Sequence, residues 1–585
     1  MHNLGSDPAR EKLPVYTFNN FRLQSDGTLL RGETPLQLAE AELAVLRLLL
    51  AQRGGLVTPA ELGRAVGQGA RVKPEIVTQA VASLRQRLGP EELIQAVPRR
   101  GFRFAAEVLV MSSAPAAALP HVAILPLVAE FGVAEYLGAA VTESVIDRLG
   151  RRRPALCTLA ARESVATLAK RGLLPLEIGR ALRADMVLTG SLRALPAHHR
   201  MRIEMLRVED GSPLWSEDVL VERARVAGLE AELVRLMALR IEGGTIAISA
   251  SVEPGSGRQN APNHREAYEL FQRARFDWQS LERHRMQDAV QHLTRAGEID
   301  PSLIEARIDL ANLAITEAFH GYLSPEVAVG LVRRASKPGF DNGAGAAILP
   351  AVGWVSFHYD RDLRAALDAF RRSEHLPHDP WVSRARVMLA LSRKRYDEAA
   401  GLLRDALGID PYSGWLHARL AFTHHLMGDA PESLRQINAA IEQFPLHEGV
   451  EFYAGIILAF NGETERAVEL AEALVHRRPY FDPATAVDAY TLAVAGRGDE
   501  ARSILEQMEW MSRERYVMNS LLPAVSVALG EHDLALAQLA VANHARCPWF
   551  FQALADPRLA PLRQYPEFRE LEQILVNMER AAQAE

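Results

Sequence analysis

Between Arg71 and Arg103 the chain carries seven bases: Arg71, Lys73, Arg85, Arg87, Arg99, Arg100 and Arg103. Three acids, Glu75, Glu91 and Glu92, stand against them, so the segment holds +4 in a 585-residue chain of net charge -7. A local cationic patch in an acidic chain fits a polyanion held at one place rather than bulk attraction. Guanidinium groups on phosphates bind in a salt-dependent way. Short polar side chains on a helix can reach base edges in a groove. The stretch Pro74 to Leu88 offers such side chains: Thr78, Gln79, Ala82, Ser83, Arg85 and Gln86. Lys73 stands just ahead of it, and Arg99-Arg100 lies further on.

These residues need a frame. Val77, Val81, Leu84 and Leu88 recur at i, i+4, i+7 and i+11, the buried stripe of a helix whose other side carries the polar set. Leu93 to Val97 and Phe102 to Phe104 read as a hairpin with Arg99-Arg100-Gly101 at its tip. Upstream, Tyr16 to Leu38 reads as short strands, with Ser25-Asp26-Gly27 as a turn. A helix follows from about Ala39, with Leu43, Leu46, Leu49 and Leu50 on one face and Gly54-Gly55 at its end. Thr58, Pro59 and Glu61 form a capping box that starts a short helix ending near Gly67.

The order strands, three helices, hairpin, with the strings VTQAVASLRQRLG and IQAVPRRGFRF, resembles the OmpR/PhoB-type winged-helix domain in its CadC/ToxR-like branch. The resemblance implies that Val77–Leu88 is a recognition helix for double-stranded promoter DNA and that Arg99-Arg100 reaches the adjacent minor groove. It places Arg85 where members touch phosphate. Members often carry bases where this chain has Ala82 and Ser83, which weakens base contact at those two positions. Arg87 has a plain alternative as a solvated helix end, and Arg103 as a partner for acidic groups in the first strands.

Composition shifts divide the rest. The expected plan is a disordered N-terminus at 1–14, a winged helix (α+β) at 15–110, a linker at 111–120, an α/β middle domain at 121–243, a linker at 244–262, and an all-α solenoid at 263–585. In the middle block, His121–Leu127, Ala155–Leu159, Asp185–Thr189 and Arg200–Val208 read as strands between helical stretches. The strings VAILPL, EYLGAAVTESVIDRL, ADMVLTGSLR and SPLWSEDV resemble the TolB-like N-terminal domain, which implies ligand, protein or dimer contacts and names no chemistry.

The helical block keeps a 34-residue step. Pro411, Pro445 and Pro479 follow it, as do Gly428, Gly462, Gly496 and Gly530, and Ala399, Ser433, Ala467, Ala501 and Ala535. This is the tetratricopeptide pattern, a stack of helical hairpins with a concave groove for a protein or peptide. A rigid spacer or dimer arm is the other reading. A looser unit spans Glu266 to Ala335, Lys337 to Gly353 is expected to break the array, and the tail from Phe551 is expected to cap it.

Other chemistries find little support. No Walker A string, GxGxxG or GxSxG occurs. Thr189-Gly190-Ser191 is expected to be a hairpin turn rather than a ligand loop. Glu143 and Asp147 are expected to be solvated charges, and His424-His425 to lie on the surface. His198-His199 has no third ligand in view. The two cysteines, Cys157 and Cys547, fit small buried residues of a reducing cytoplasm. No cofactor, metal or catalytic residue is expected. The N-terminus lacks the apolar core of a signal peptide and no apolar run could span a membrane. With no receiver domain ahead of Tyr16, control by aspartyl phosphorylation in this chain is not expected. The expectation is a non-enzymatic, cytoplasmic regulator that binds promoter DNA. Its repeats would meet RNA polymerase or another protein, or pair two copies of the chain. The alternative is an interaction scaffold whose winged helix no longer reads sequence.

Overall fold

The computed structural model describes residues 15–18, 21–24, 28–31, 34–36, 38–52, 56–67, 72–88, 93–97, 100–105, 109–111, 119–151, 155–222, 227–241, 262–278, 282–337, 343–374 and 380–584. They belong to two units, Met1–Leu119 and Pro120–Glu585. The expected disordered N-terminus, Arg71, Arg99, and the punctuation at Ser25-Asp26-Gly27, Gly54-Gly55 and Gly89 lie outside the described residues.

The first unit opens with strands β1 (Val15–Phe18), β2 (Phe21–Leu23), β3 (Leu29–Arg31) and β4 (Thr34–Leu36). Helices α1 (Glu40–Ala51), α2 (Pro59–Val66) and α3 (Pro74–Leu88) follow, then β5 (Ile94–Val97), β6 (Gly101–Phe104) and β7 (Leu109–Met111). One antiparallel sheet runs β4-β3-β2-β1-β7, and β5-β6 form a separate hairpin. Strand β7 carries the unit through Met111, one residue past the expected boundary. Alternate strand residues Phe18, Phe21, Leu23 and Leu29 meet Val45, Leu46, Leu49 and Leu50 of α1 in one apolar core. The capping box forms as read: Thr58 N–H donates to Glu61 at 2.7 Å and Glu61 N–H to the Thr58 hydroxyl at 3.3 Å.

The second unit begins as a mixed sheet in the order β10-β8-β11-β12-β13, with β9 beside β11. The strands are β8 (His121–Ile124), β9 (Val128–Ala129), β10 (Thr158–Leu159), β11 (Met186–Ala194), β12 (His198–Arg207) and β13 (Pro213–Glu222). Pairings among β8, β10 and β11 are parallel, and those of β11, β12 and β13 antiparallel. Helices α4 (Glu135–Arg151), α5 (Arg162–Lys170), α6 (Pro175–Ala181) and α7 (Ala227–Ile241) accompany it. Thr189-Gly190-Ser191 is not a turn; it lies inside β11, opposite Arg202, Ile203 and Glu204 of β12. A β-carbon on Gly190 would come within 2.3 Å of the Arg202 carbonyl, so glycine marks a close backbone approach within the sheet.

Helical hairpins follow: α8 (Pro262–Trp278) with α9 (Arg283–Ile299), α10 (Ile304–His320) with α11 (Pro325–Ala335), and α12 (Leu349–His358) with α13 (Leu363–Ser373). Next come α14 (Pro380–Ser392) with α15 (Tyr396–Ile409), α16 (Gly414–Leu426) with α17 (Ala430–Gln443), and α18 (Glu448–Phe460) with α19 (Thr464–Arg477). Then come α20 (Asp482–Val494) with α21 (Gly498–Met511) and α22 (Pro523–Ala528) with α23 (His532–His544); α24 (Phe550–Ala555) and α25 (Pro566–Gln583) end the chain. First helices starting at 380, 414, 448 and 482 keep the 34-residue step. Gly428, Gly462, Gly496 and Gly530 turn each hairpin at φ 77, 88, 81 and 78°, a left-handed conformation that favours glycine. Ala399, Ser433, Ala467, Ala501 and Ala535 are all 0% exposed, where the two helices of a hairpin touch. The expected break at Lys337–Gly353 is partly filled: a 3-10 turn spans Gly343–Ile348 and α12 begins at Leu349.

Sheet and array form one unit because charged and polar groups lock them together. Arg275 of α8 bonds Asp147 of α4 at 2.7 Å and Asp309 of α10 at 2.6 Å. Arg162 pairs with Glu143 and lies 3.7 Å from Asp147. Glu143 and Asp147 are therefore held in this network and are not solvated charges. Gln272 donates to Ser144 at 2.9 Å, and the Tyr268 hydroxyl donates to Glu230 of α7. At a second place, Ser164 N–H donates to Asp410 at 3.0 Å, and Arg171 lies over the Tyr412 and Phe444 rings.

The inner side of the array is filled by the chain itself. Residues 549–558 touch the first helix of six successive hairpins. Trp549 reaches Phe319 of α10 at 3.1 Å, Phe551 stacks near Phe357 of α12, and Gln552 meets Met388 of α14. Trp549 lies against Arg419 of α16 and Phe452 of α18, and Arg558 lies over Tyr490 of α20. The expected concave groove is thus occupied by an internal segment. His424 and His425 are correspondingly buried, against expectation: His425 packs on Phe422 and Phe460 and sits 3.7 Å from Asp556.

Candidate nucleic-acid interface

Helix α3 has four sides, set by about 100° of rotation per residue. Val77, Val81, Leu84 and Leu88 form the buried side as read. Glu75, Gln79, Ala82 and Gln86 are exposed and fall opposite it. The two flanks between these sides are engaged within the domain.

One flank faces α1. Ser83 is half-buried and donates its hydroxyl to Glu42. Arg87 meets the same carboxylate at 3.0 Å, so it is not merely a solvated helix end. Glu42 also accepts the Ala39 N–H at 2.7 Å, at the start of α1. Burial by itself would raise the Glu42 carboxyl, but the Ser83 and Ala39 hydrogen bonds and Arg87 outweigh it and hold the carboxyl below its ordinary value. Sequence reasoning missed Glu42. The available signal was a glutamate three residues after an N-cap, Ala39, that has no side-chain acceptor of its own.

The other flank faces the hairpin. Arg85 is exposed at its surface, yet its guanidinium donates twice to the Ile94 carbonyl, at 3.0 and 2.7 Å, and lies 5.8 Å from the Phe102 ring centre. This arginine therefore ties the helix to β5 and β6. Among the described residues Arg103 bonds Gln95 across the hairpin, at 3.0 and 2.7 Å. The hairpin is fixed at its base by Val57, whose N–H and carbonyl pair with Phe102 at 2.8 and 2.9 Å. Gly101 permits this: its φ is +143° and a β-carbon there would lie 2.0 Å from the Val57 carbonyl oxygen.

Of the expected site residues, Lys73 is exposed ahead of α3 and Thr78, Gln79, Ala82 and Gln86 are exposed on it. Arg100 is exposed in the hairpin turn. Ser83 and Arg85 are held by Glu42 and Ile94, and Arg99 lies outside the described residues. The cationic patch is slimmer than its formal +4, since Arg87 is paired with Glu42; Arg85 and Arg103 keep their charge but are held to the Ile94 carbonyl and the Gln95 amide. Among the described residues no group of three or more His, Cys, Asp or Glu could hold a metal, and no helix is long and apolar enough to cross a membrane.

Comparison with known proteins agrees with this geometry. The family described as "Transcriptional regulatory protein, C terminal" matches residues 33–104, and the tetratricopeptide repeat family matches 390–450. The transcriptional regulator HilA of Salmonella typhimurium is 20% identical over 94% of this chain and 98% of its own length, and HilA of Salmonella typhi matches to the same extent. Among solved structures, the APC/C hetero-tetramer Cut9-Hcn1 is similar at a TM-score of 0.40 and 17% identity, over 61% of this chain and 66% of that one. The chain is a DNA-binding transcriptional regulator with an N-terminal winged helix of the OmpR/PhoB type and tetratricopeptide repeats behind it.

Proposed function

We propose that α3 enters the major groove of promoter DNA and that the β5–β6 hairpin reaches the adjacent backbone and minor groove. The observation that carries this reading is that Glu75, Gln79, Ala82 and Gln86 are exposed on one side of α3 while both flanks are bonded to the frame. Thr78, Gln79, Ala82 and Gln86 are the base-facing set. Lys73, Arg99 and Arg100 meet phosphates. Ser83 and Arg85 act at the same interface, through the placement of the helix. Gel-shift titration of the full chain against genomic fragments at several salt concentrations tests this. Tight, fragment-selective binding supports it; weak binding that ignores sequence returns the chain to the scaffold reading.

The remainder works without catalysis. The middle block is a TolB-like α/β domain, docked on the array as a receiving surface. Protein contact, with RNA polymerase, another partner or a second copy, falls to the outer faces of the array because the inner faces are filled. The regulator acts in the cytoplasm. Domain limits of 15–111, 121–243 and 262–585 fit these roles.

A further inference from the structure

We infer that α3 reads A·T-rich DNA through the stripe Glu75, Gln79, Ala82 and Gln86, and that Glu42 sets the rotation at which this stripe meets the groove. This rests on the DNA-reading role proposed above and names its sequence class.

The chemistry of the stripe is restricted. It holds no arginine or lysine, and those side chains make the commonest specific contact, to guanine O6 and N7. Gln79 and Gln86 carry the amide that pairs bidentately with adenine N6 and N7. Ala82 between them offers a methyl for contact with the thymine methyl. Glu75 accepts only, which suits a cytosine amino group at the edge of the site. The one arginine of α3 near this face, Arg85, is spent on the Ile94 carbonyl. Two glutamines seven residues apart sit about two turns from one another on the same side, a span of about 10 Å along the groove.

The rotation of that stripe is not left to apolar packing alone. Apolar side chains tolerate a small roll of a helix, whereas hydrogen bonds to one carboxylate do not. Glu42 is 3% exposed and takes the Ser83 hydroxyl and Arg87 Nε, one turn apart on a single flank. Arg85 holds the opposite flank. Glu42 is thus a positioning residue for base reading and touches no base itself.

The test is selection of bound sequences from a random duplex library by the full chain, followed by titration of the selected and a scrambled duplex. The stripe predicts adenine or thymine at the core positions. Gln86→Arg should convert one of them to guanine. Glu42→Ala should cut the ratio of specific to scrambled affinity by about 10-fold, with scrambled binding unchanged within about two-fold. Glu42→Gln keeps the acceptor for Ala39 and Ser83 and should lose less. Circular dichroism melts of each variant verify folding; the Gln86→Arg result stands even where Glu42→Ala unfolds. Enrichment of G·C at the core, or equal loss of specific and scrambled affinity in a folded Glu42→Ala chain, overturns the inference and leaves DNA binding intact. Absence of any enriched sequence overturns the underlying reading as well.

Discussion

The indole of Trp549 donates to the carbonyl of Phe319 at 3.1 Å, joining residues 230 apart in the chain. Around that bond the end of the array closes on its beginning. A stack of repeats whose units touch only neighbours unfolds piecemeal. This one is tied through its interior. Phe551 is 1% exposed, between Phe357 of α12 and the Arg361 guanidinium at 4.2 Å. Phe551→Ala should cost about 3–5 kcal/mol. It should also split urea unfolding of the repeats, followed by far-UV circular dichroism, into early and late transitions. A variant that unfolds with the parent's midpoint and shape would refute the tie.

The hairpin tip yields a second expectation. Arg99→Ala with Arg100→Ala should weaken binding to all duplexes alike, because phosphate contacts carry no sequence information. The slope of log affinity against log salt should fall by about 1 for each arginine that meets a phosphate. Titration at several salt concentrations reads both. Unchanged affinity and slope would remove the hairpin from the interface.

Gly101 offers a third. Alanine there forces a β-carbon to 2.0 Å from the Val57 oxygen at a φ of +143°. Gly101→Ala should destabilise the winged helix by more than about 1 kcal/mol and weaken DNA binding with it. Thermal melting and gel shift together check the coupling. A variant with normal melting and normal binding would show that the Val57–Phe102 bridge does not position the hairpin.

How much of this was readable beforehand depended on distance along the chain. The stripe Val77, Val81, Leu84 and Leu88, the Thr58 capping box and the step from Gly428 to Gly530 are local patterns, and each became the element it implied. Ser83 looked like a free polar side chain because its partner, Glu42, lies 41 residues away on another helix. His424 and His425 looked solvent-facing because nothing near them in sequence announces that Asp556 folds back onto their helix. Gly190 suggested a turn where a glycine instead admits the neighbouring strand's carbonyl. Periodicity reports which side of an element is buried; it does not report against what.

Asp410 supplies a prediction about pH. Burial, reinforced by the nearby Glu163, pushes its carboxyl up to about 6 from the ordinary 3.8, despite hydrogen bonds from Ser164. The folded chain therefore keeps a proton that the unfolded chain releases. Across that interval stability falls as pH rises, and above it the full cost is present. Asn keeps an acceptor for Ser164 and cannot ionise. Asp410→Asn should gain stability over the parent between about pH 4 and pH 7 and match it near pH 3. Paired urea titrations across that range measure the difference, and a constant offset would refute the assignment.

Arg275 has a consequence for how a signal could travel. Its guanidinium is shared between Asp147 on the sheet side and Asp309 on the second hairpin. Pulling either acid away leaves a buried cation short of one of its partners, which is strongly destabilising. The sheet and the opening hairpins therefore move as one lever. A push on the opening hairpins is therefore felt first at α4 of the sheet, through Asp147.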